Sequence, residues 1–429
     1  MDQSRLGHWA ALVSMLALAA CAGTAAGDAA DRAPVPQSRP APVPEPAQAT
    51  EASVRLGFAD WRARFRNRAI AQGIEASLFD RAFAGVSPNP TVIERDRFQP
   101  EFTRPIWAYL DGAVSEARIA EGRRRAAAQA GVLAGLKQRY GVERGIVAAI
   151  WGIESAYGEI RGDIPVIEAL ATLAQDGRRQ SFGEEQLLAA LRILAAGDVS
   201  SAAMVGSWAG AMGHTQFIPT SYLAYAVDAT GDGKRNIWGE DPTDALGSTA
   251  NYLASFGWQL GAPTVRRVRL PAGFDYTLAD QAIRRPVADW QAMGVAGEGT
   301  LPPGEAAVLL PAGEEGPAWL AYPNFRVIKR YNNATSYALA VSLLAEEIAG
   351  EAGVSRNLPW PRGDRALSRA EQTAFQQRLT ALGYDTGGVD GIFGPKTRAA
   401  VRAYQRAEGL TPDGYVNDAL LRRVGALGG

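Results

Sequence analysis

Histidine is almost absent from this 429-residue chain: His8 and His214 are the only two, and a histidine-built zinc cluster is therefore excluded. Cysteine is scarcer still. Cys21 stands alone, so no intramolecular disulfide forms. Neither sign of charge is in excess. Lys and Arg number 44 against 45 Asp and Glu, and a net charge of -1 leaves no global field to draw the chain to nucleic acid. The early apolar run, Trp9 to Ala20, is too short for an ordinary membrane span. What is plentiful is apolar surface, at 47% of residues, in a chain long enough for two or three domains.

The amino terminus reads as an export signal: Arg5 in a short first region, then the apolar run. It ends in Leu18-Ala19-Ala20-Cys21, which resembles a bacterial lipobox. The expectation is a signal peptide over 1–20 and a diacylglyceryl-modified Cys21. The plainer alternative is a secretory signal beside an unrelated cysteine. Acyl chains would hold the protein on a membrane, and Ala22 resembles the residues that permit sorting to the outer membrane. Residues 21–52 carry Pro34, Pro36, Pro40, Pro42, Pro44 and Pro46 without apolar periodicity, the composition of an extended tether. The predicted location is the periplasm, lipid-anchored to the outer membrane.

From 53 to 350 the chain reads as one globular body. Leu133, Leu136, Tyr140, Ile146, Val147, Ile150 and Ile153 fall at helical spacing, with Gly141 and Gly145 around a break. Short β-like runs follow at Val265–Leu270, Ala307–Leu310 and Trp319–Tyr322, then helix from Thr335 to Ile348. Residues 351–366, with Pro359 and Pro361, read as a linker. Over 367–429, Leu367, Phe375, Leu379 and Leu382 make one helical stripe and Ala400, Val401 and Tyr404 another, and two Asp-Gly turns echo each other. The predicted class is mainly α (α+β): a helical core with a small β insertion, plus a small three-helix C-terminal domain.

Three stretches carry chemistry. In Ile150-Trp151-Gly152-Ile153-Glu154-Ser155-Ala156-Tyr157-Gly158 a carboxylate sits among apolar neighbours. Lost solvation would raise its pKa and fit it to donate a proton; a helix-end Glu reaching solvent is the bland alternative. Gly206 to Tyr222 joins glycines to Ser207, Gln216, Met212 and Phe217, either a ligand-facing turn or a tight packing turn. Asp228-Ala229-Thr230-Gly231-Asp232-Gly233-Lys234 begins like an EF-hand loop, but Gly239 stands where the closing Glu belongs. A calcium loop and a metal-free Asp-Gly turn both fit that pattern.

Read together, these motifs resemble the lytic murein transglycosylases of the membrane-bound B type. The matching stretches are Ile153–Gly158, Ala169–Leu173, Gly206–Gly213, Gln216–Tyr222 and Arg330–Ala338, in the family's order. The resemblance implies a lysozyme-like catalytic core acting on the glycan strands of peptidoglycan. Glu154 aligns with the single catalytic acid. Ser207, Gln216, Tyr331, Asn332 and Tyr337 match residues of the cleft, and Tyr109 matches a further cleft tyrosine. It also implies a structural calcium site at Asp228, Thr230, Asp232 and Lys234, closed by Asp244, with no cofactor required for the reaction. By the same resemblance, one carboxyl group is expected to serve as acid and then as base, giving a product with a 1,6-anhydromuramoyl end. A muramidase that uses water and a catalytically silent wall-binding scaffold are the rival functions.

The C-terminal unit resembles the peptidoglycan-binding domain of wall enzymes through Leu379–Tyr384, Gly388–Thr397 and Ala400–Gln405. The expected partners are glycan strands, a membrane through the lipid anchor, and complexes of other cell-wall enzymes.

Overall fold

The computed structural model describes residues 57–97, 104–350 and 358–426. The expected signal 1–20, Cys21, the 21–52 tether and positions 351–357 of the linker lie outside the described residues. Among those described, the chain forms seventeen α-helices and seven short strands, the expected mainly helical class with a minor β component.

The helix Arg144–Ser155 runs through the centre of the larger unit. Gly141, at φ 67°, closes the preceding helix Ala130–Tyr140 in a left-handed turn. Glu143 opens the new helix and accepts Trp258 Nε1 and Gly261 N on its carboxylate, each at 2.6 Å. Every residue from Ile146 to Ser155 is buried, as a helix apolar on all sides must be. Gly145 allows the helix Thr335–Ala349 to lie directly against it; a Cβ there would stand 2.8 Å from Ala345 O. That contact places the two halves of the site side by side across nearly two hundred residues of sequence.

The β insertion is an antiparallel sheet in the order Arg285–Pro286, Glu305–Leu309, Ala318–Ala321, Val265–Arg269, Ala296–Gly297. Its alternation feeds two cores. Val268, Val308 and Leu320 pack with fully buried Trp290 in a small core of their own. Val265, Leu309, Trp319 and Ala321 join the main helical core. The insertion is therefore fixed to the body through one face of its sheet.

The C-terminal unit is the expected three helices, Arg369–Ala381, Pro395–Ala407 and Asp418–Val424, around Phe375, Leu379, Val401 and Leu421. Leu382 departs from the predicted stripe and is 49% exposed. The helix stops at Ala381, so the helical period no longer carries Leu382 inward. The sequence echo has a structural counterpart. Gln376 grips Asp390-Gly391 and Gln405 grips Asp413-Gly414 in the same way, each amide nitrogen donating to the Asp carboxylate and each amide oxygen accepting the Gly N–H.

The described part of the linker is laid on the body. Leu358 and Trp360 are buried in the main core, and the Trp360 ring lies 6.1 Å from Trp107 and 5.7 Å from Trp319. Arg362 forks onto Asp111 at 2.7 and 2.9 Å. Beyond it, Asp413 Oδ2 accepts Glu314 N at 2.9 Å, and Arg402 Nη2 donates to Ala279 O at 2.9 Å. The C-terminal unit thus rests against the β insertion.

Candidate active site

Glu154 lies in the last turn of Arg144–Ser155 and is 6% exposed. Burial pushes its carboxyl up to about 8, and a hydrogen bond from Tyr337 pulls the other way. Tyr337 Oη donates to Glu154 Oε1 at 2.5 Å. Tyr331 donates to Thr215 O at 2.6 Å. Burial first, and then the nearby Glu154 carboxylate, hold both phenols well above their ordinary range, so both keep their protons. The two carboxylates next in sequence do not share this environment: Glu159 is paired with Arg125 at 2.6 Å on the surface, and Asp163 is exposed.

Backbone strain concentrates here. Among the described residues, Ala156, Tyr157 and Gln216 are the non-glycine residues at positive φ, at 50°, 60° and 54°. Two of them end the Glu154 helix, turning the chain sharply just past the acid. The third sits in the Gly206–Phe217 turn, which is tied by bridges from Met212 to Gly206 and to Phe217. Sparsely populated backbone persists where surrounding contacts enforce it.

The enforcing contacts centre on His214. Trp151 Nε1 donates to His214 Nδ1 at 3.2 Å, which leaves Nε2 to donate to Gly239 O at 2.8 Å. Burial lowers the titration of this imidazole and keeps it neutral. Ser155 Oγ, one residue past the acid, donates to His214 O at 2.5 Å. Sequence reading set His214 aside as solitary. A lone buried histidine two residues before Gln216 was the available signal, but its partners Trp151 and Gly239 are remote in sequence.

The remaining sequence-predicted residues fall into two groups. Gln216 is buried beside this network, its Nε2 donating to Arg161 O at 3.0 Å and Gly213 O at 2.9 Å, while Oε1 has no partner. Ser207 lies at the far end of the same turn, where its Oγ accepts Ala211 N at 3.1 Å and Ala209 N at 3.4 Å. Asn332, also buried, accepts Ala334 N at 3.0 Å where the Tyr337 helix begins. Tyr109 and Tyr337 line the near end of a cavity of about 460 Å³ that reaches the C-terminal unit; Ser207 and Gln216 lie outside that cavity.

The acidic loop forms a separate cluster. Ligand atoms of Asp228, Asp232 and Asp244 lie within 4.8 Å of one another. Asp244 is 2% exposed, and it accepts Ala229 N and Asn236 N at 2.8 Å and Thr230 N at 3.0 Å. Thr230 Oγ1 donates to Asp228 at 3.1 Å, and Lys234, exposed, gives its backbone N–H to Asp232 at 2.9 Å. Convergence of three carboxylates on one small volume is a donor set suited to a hard divalent ion.

Residues 57–346 match the model of the transglycosylase SLT domain, and residues 368–424 match a peptidoglycan binding domain. Membrane-bound lytic murein transglycosylase B of Escherichia coli is 36% identical over 220 residues, 49% of this chain and 58% of that protein's length. Crystal structures of SltB3 from Pseudomonas aeruginosa, in complex with NAG-anhNAM-pentapeptide and with NAG-NAM-pentapeptide, are each 53% identical, covering 86% of this chain and 99% of theirs at a TM-score of 0.83. The lytic transglycosylase Slt35 of Escherichia coli in complex with calcium is 29% identical, covering 67% of this chain and 92% of its own at 0.59.

Proposed function

This chain belongs to the transglycosylase SLT domain family, and from that premise we propose that it cleaves the β-1,4 bond between N-acetylmuramic acid and N-acetylglucosamine in peptidoglycan without water. The observation that carries the reading is the state of Glu154. A carboxyl group held at about 8 by burial is protonated at neutral pH, with a phenol 2.5 Å from one oxygen. It is an acid ready to donate.

Glu154 gives its proton to the glycosidic oxygen as the bond to C1 of the muramoyl unit breaks, and the 2-acetamido oxygen of that unit closes on C1 in place of a carboxylate nucleophile. The Glu154 carboxylate, stabilised by Tyr337, then takes the proton from the C6 hydroxyl. O6 attacks C1, the acetamido group leaves, and a 1,6-anhydro ring forms. Intramolecular attack by O6 gains from proximity and dispenses with an ordered water. Gln216 Oε1 is buried without a partner, and a turn of its side chain outward would let it accept a sugar N–H or O–H. Ser207, Tyr331, Asn332 and Tyr109 form the surrounding walls in this reading.

Calcium held by Asp228, Asp232 and Asp244, with oxygens of Thr230 and Lys234, would pin the loop that carries Gly239 O, the acceptor for His214. Its role is structural. The relative Slt35 was solved with calcium, which supports this assignment. No helix among the described residues is long and apolar enough to cross a membrane; acylation of Cys21 supplies the membrane attachment in this reading. A Cys21→Ala variant then moves from the membrane to the soluble fraction.

Mass analysis of products from defined glycan strands tests the reaction, wild type beside Glu154→Gln. Anhydro ends, one water lighter than reducing ends, are expected from wild type and none from the variant. Reducing ends as the main product would make the protein a muramidase. Strand binding without fragments would make it a scaffold.

A further inference from the structure

The cavity that begins at Tyr109 and Tyr337 ends on the C-terminal unit, at Arg398 and Arg402. These two lie four residues apart on the helix Pro395–Ala407, so their guanidinium groups share one face and repel. From the catalytic unit, Lys329 of the helix Pro323–Tyr331 approaches Arg398, its Nζ donating to Gln281 Oε1 at 2.9 Å. Burial lowers the titration of all three cations, and Arg398 lowers that of both others.

None of the three has an ion-pair partner among the described residues. Arg398 Nη1 donates to Phe393 O at 2.7 Å and Arg402 Nη2 to Ala279 O at 2.9 Å. Arg402 is 7% exposed, and its Nε is buried without any acceptor. Of the carboxylates lining the cavity, Asp280 opposes both arginines and Asp413, held by Glu314 N, Gln405 and Tyr415 N, opposes Arg402 more weakly, as does Asp275 outside the lining. These carboxylates act from a distance and none makes an ion pair in contact with the three cations, so an anion bound between them would complete the site.

The substrate supplies one. The sugar rings of a glycan strand are neutral apart from the lactyl group and the peptides it carries, so carboxylates enter this cavity only with a muramoyl substituent. We propose that Arg398, Arg402 and Lys329 form a carboxylate site for the stem peptide of the muramoyl unit bound beside Glu154. The inference rests on the transglycosylase reading and adds a substrate preference to it. It also gives the C-terminal unit a second task. Beyond holding the wall, it completes the pocket that selects acidic stems.

Two defined strands test this with the full protein: one bearing pentapeptides with free carboxylates, the other the same strand with those carboxylates converted to amides. Wild type is expected to turn over the acidic strand with kcat/KM at least about tenfold higher, the scale of one or more charge-assisted hydrogen bonds. Arg398→Gln and Lys329→Met each collapse that preference, mainly through KM, and Arg398→Lys restores part of it. Equal kcat/KM on both strands in wild type overturns the proposal while leaving the transglycosylase reading intact. Loss of the same size on both strands in the variants also overturns it, since that is the mark of a merely structural role. If wild type releases no fragments from either strand, the reading it rests on fails first.

Discussion

Tyr337 Oη and Glu154 Oε1 meet at 2.5 Å although 183 residues separate them in sequence. The phenol stabilises the charged form of a carboxyl group that burial otherwise keeps neutral. The pair therefore sets how readily Glu154 gives its proton up and how readily it takes one back. An acid-then-base cycle needs both.

Removing the phenol shifts that balance in a known direction. The hydrogen bond from Tyr337 lowers the Glu154 pKa, so Tyr337→Phe raises it above about 8. Since the first step needs protonated Glu154, wild-type kcat declines as pH rises through about 8. In Tyr337→Phe the alkaline limb moves to higher pH, and kcat at neutral pH falls on the order of tenfold to a hundredfold. A pH–kcat profile with an unmoved limb would mean that some other group sets it.

The same burial links Glu154 to stability. Its folded pKa, about 8, lies above the value of about 4.5 for an unperturbed glutamate. The raised carboxyl favours the folded state fully below the unfolded value, and this advantage is lost as pH rises towards the folded one. Glu154→Gln keeps the shape without the proton. Its stability advantage over wild type, followed through Tm, is expected to grow between about pH 5 and pH 8 and then level off, with a ceiling of about 5 kcal/mol. Parallel melting curves with no pH-dependent gap would show that Glu154 is solvated in the folded protein.

Much of the scaffold was legible from residue spacing. The Val265–Leu270 and Trp319–Tyr322 runs form the strands Val265–Arg269 and Ala318–Ala321, because β-branched and aromatic residues there serve two cores at once. The apolar company of Glu154 was visible in its own helix. What makes that company a site comes from elsewhere: Tyr337 and Tyr331 from the far side of the insertion, and His214 through partners without local pattern. The positive φ of Ala156, Tyr157 and Gln216 is imposed by tertiary contacts against ordinary preference, so residue type gives no hint of it. Between Pro359 and Pro361, Trp360 looks like linker, yet it fills the gap between Trp107 and Trp319. A single aromatic in a proline-rich stretch has no periodicity to expose it.

Calcium should raise the Tm of the soluble form, and a chelator should reverse the rise. Asp232→Ala is the cleaner probe of the loop. Asp232 is exposed and accepts Lys234 N, whereas Asp244 also ties three backbone N–H groups. The variant is expected to retain its metal-free Tm within about 1 kcal/mol of stability and to lose the calcium response. A calcium response of full size in Asp232→Ala would place any ion elsewhere.

Gly158→Ala tests whether the His214 network holds the acid in place. Gly158 has φ +91°, a conformation that side chains resist, and a Cβ there would lie 2.4 Å from His214 Nδ1. The imidazole cannot yield without breaking its bonds to Trp151 Nε1, which is buried, and to Gly239 O, which is part-buried. The ring's backbone carbonyl also receives Ser155 Oγ, and Ser155 Oγ in turn receives Gly158 N at 2.9 Å. One methyl group thus presses on every link between the Glu154 helix and the Gln216 turn. Backbone strain and a broken buried hydrogen bond together cost on the order of 2–4 kcal/mol. Turnover falls more than folding does, because the acid and the turn opposite it lose their register. The readouts are Tm and kcat on one set of glycan strands, with Gly85→Ala as the control: Gly85 has φ +74° but open space around a Cβ. Equal losses in the two variants would assign the effect to backbone strain alone and remove His214 from the positioning of Glu154.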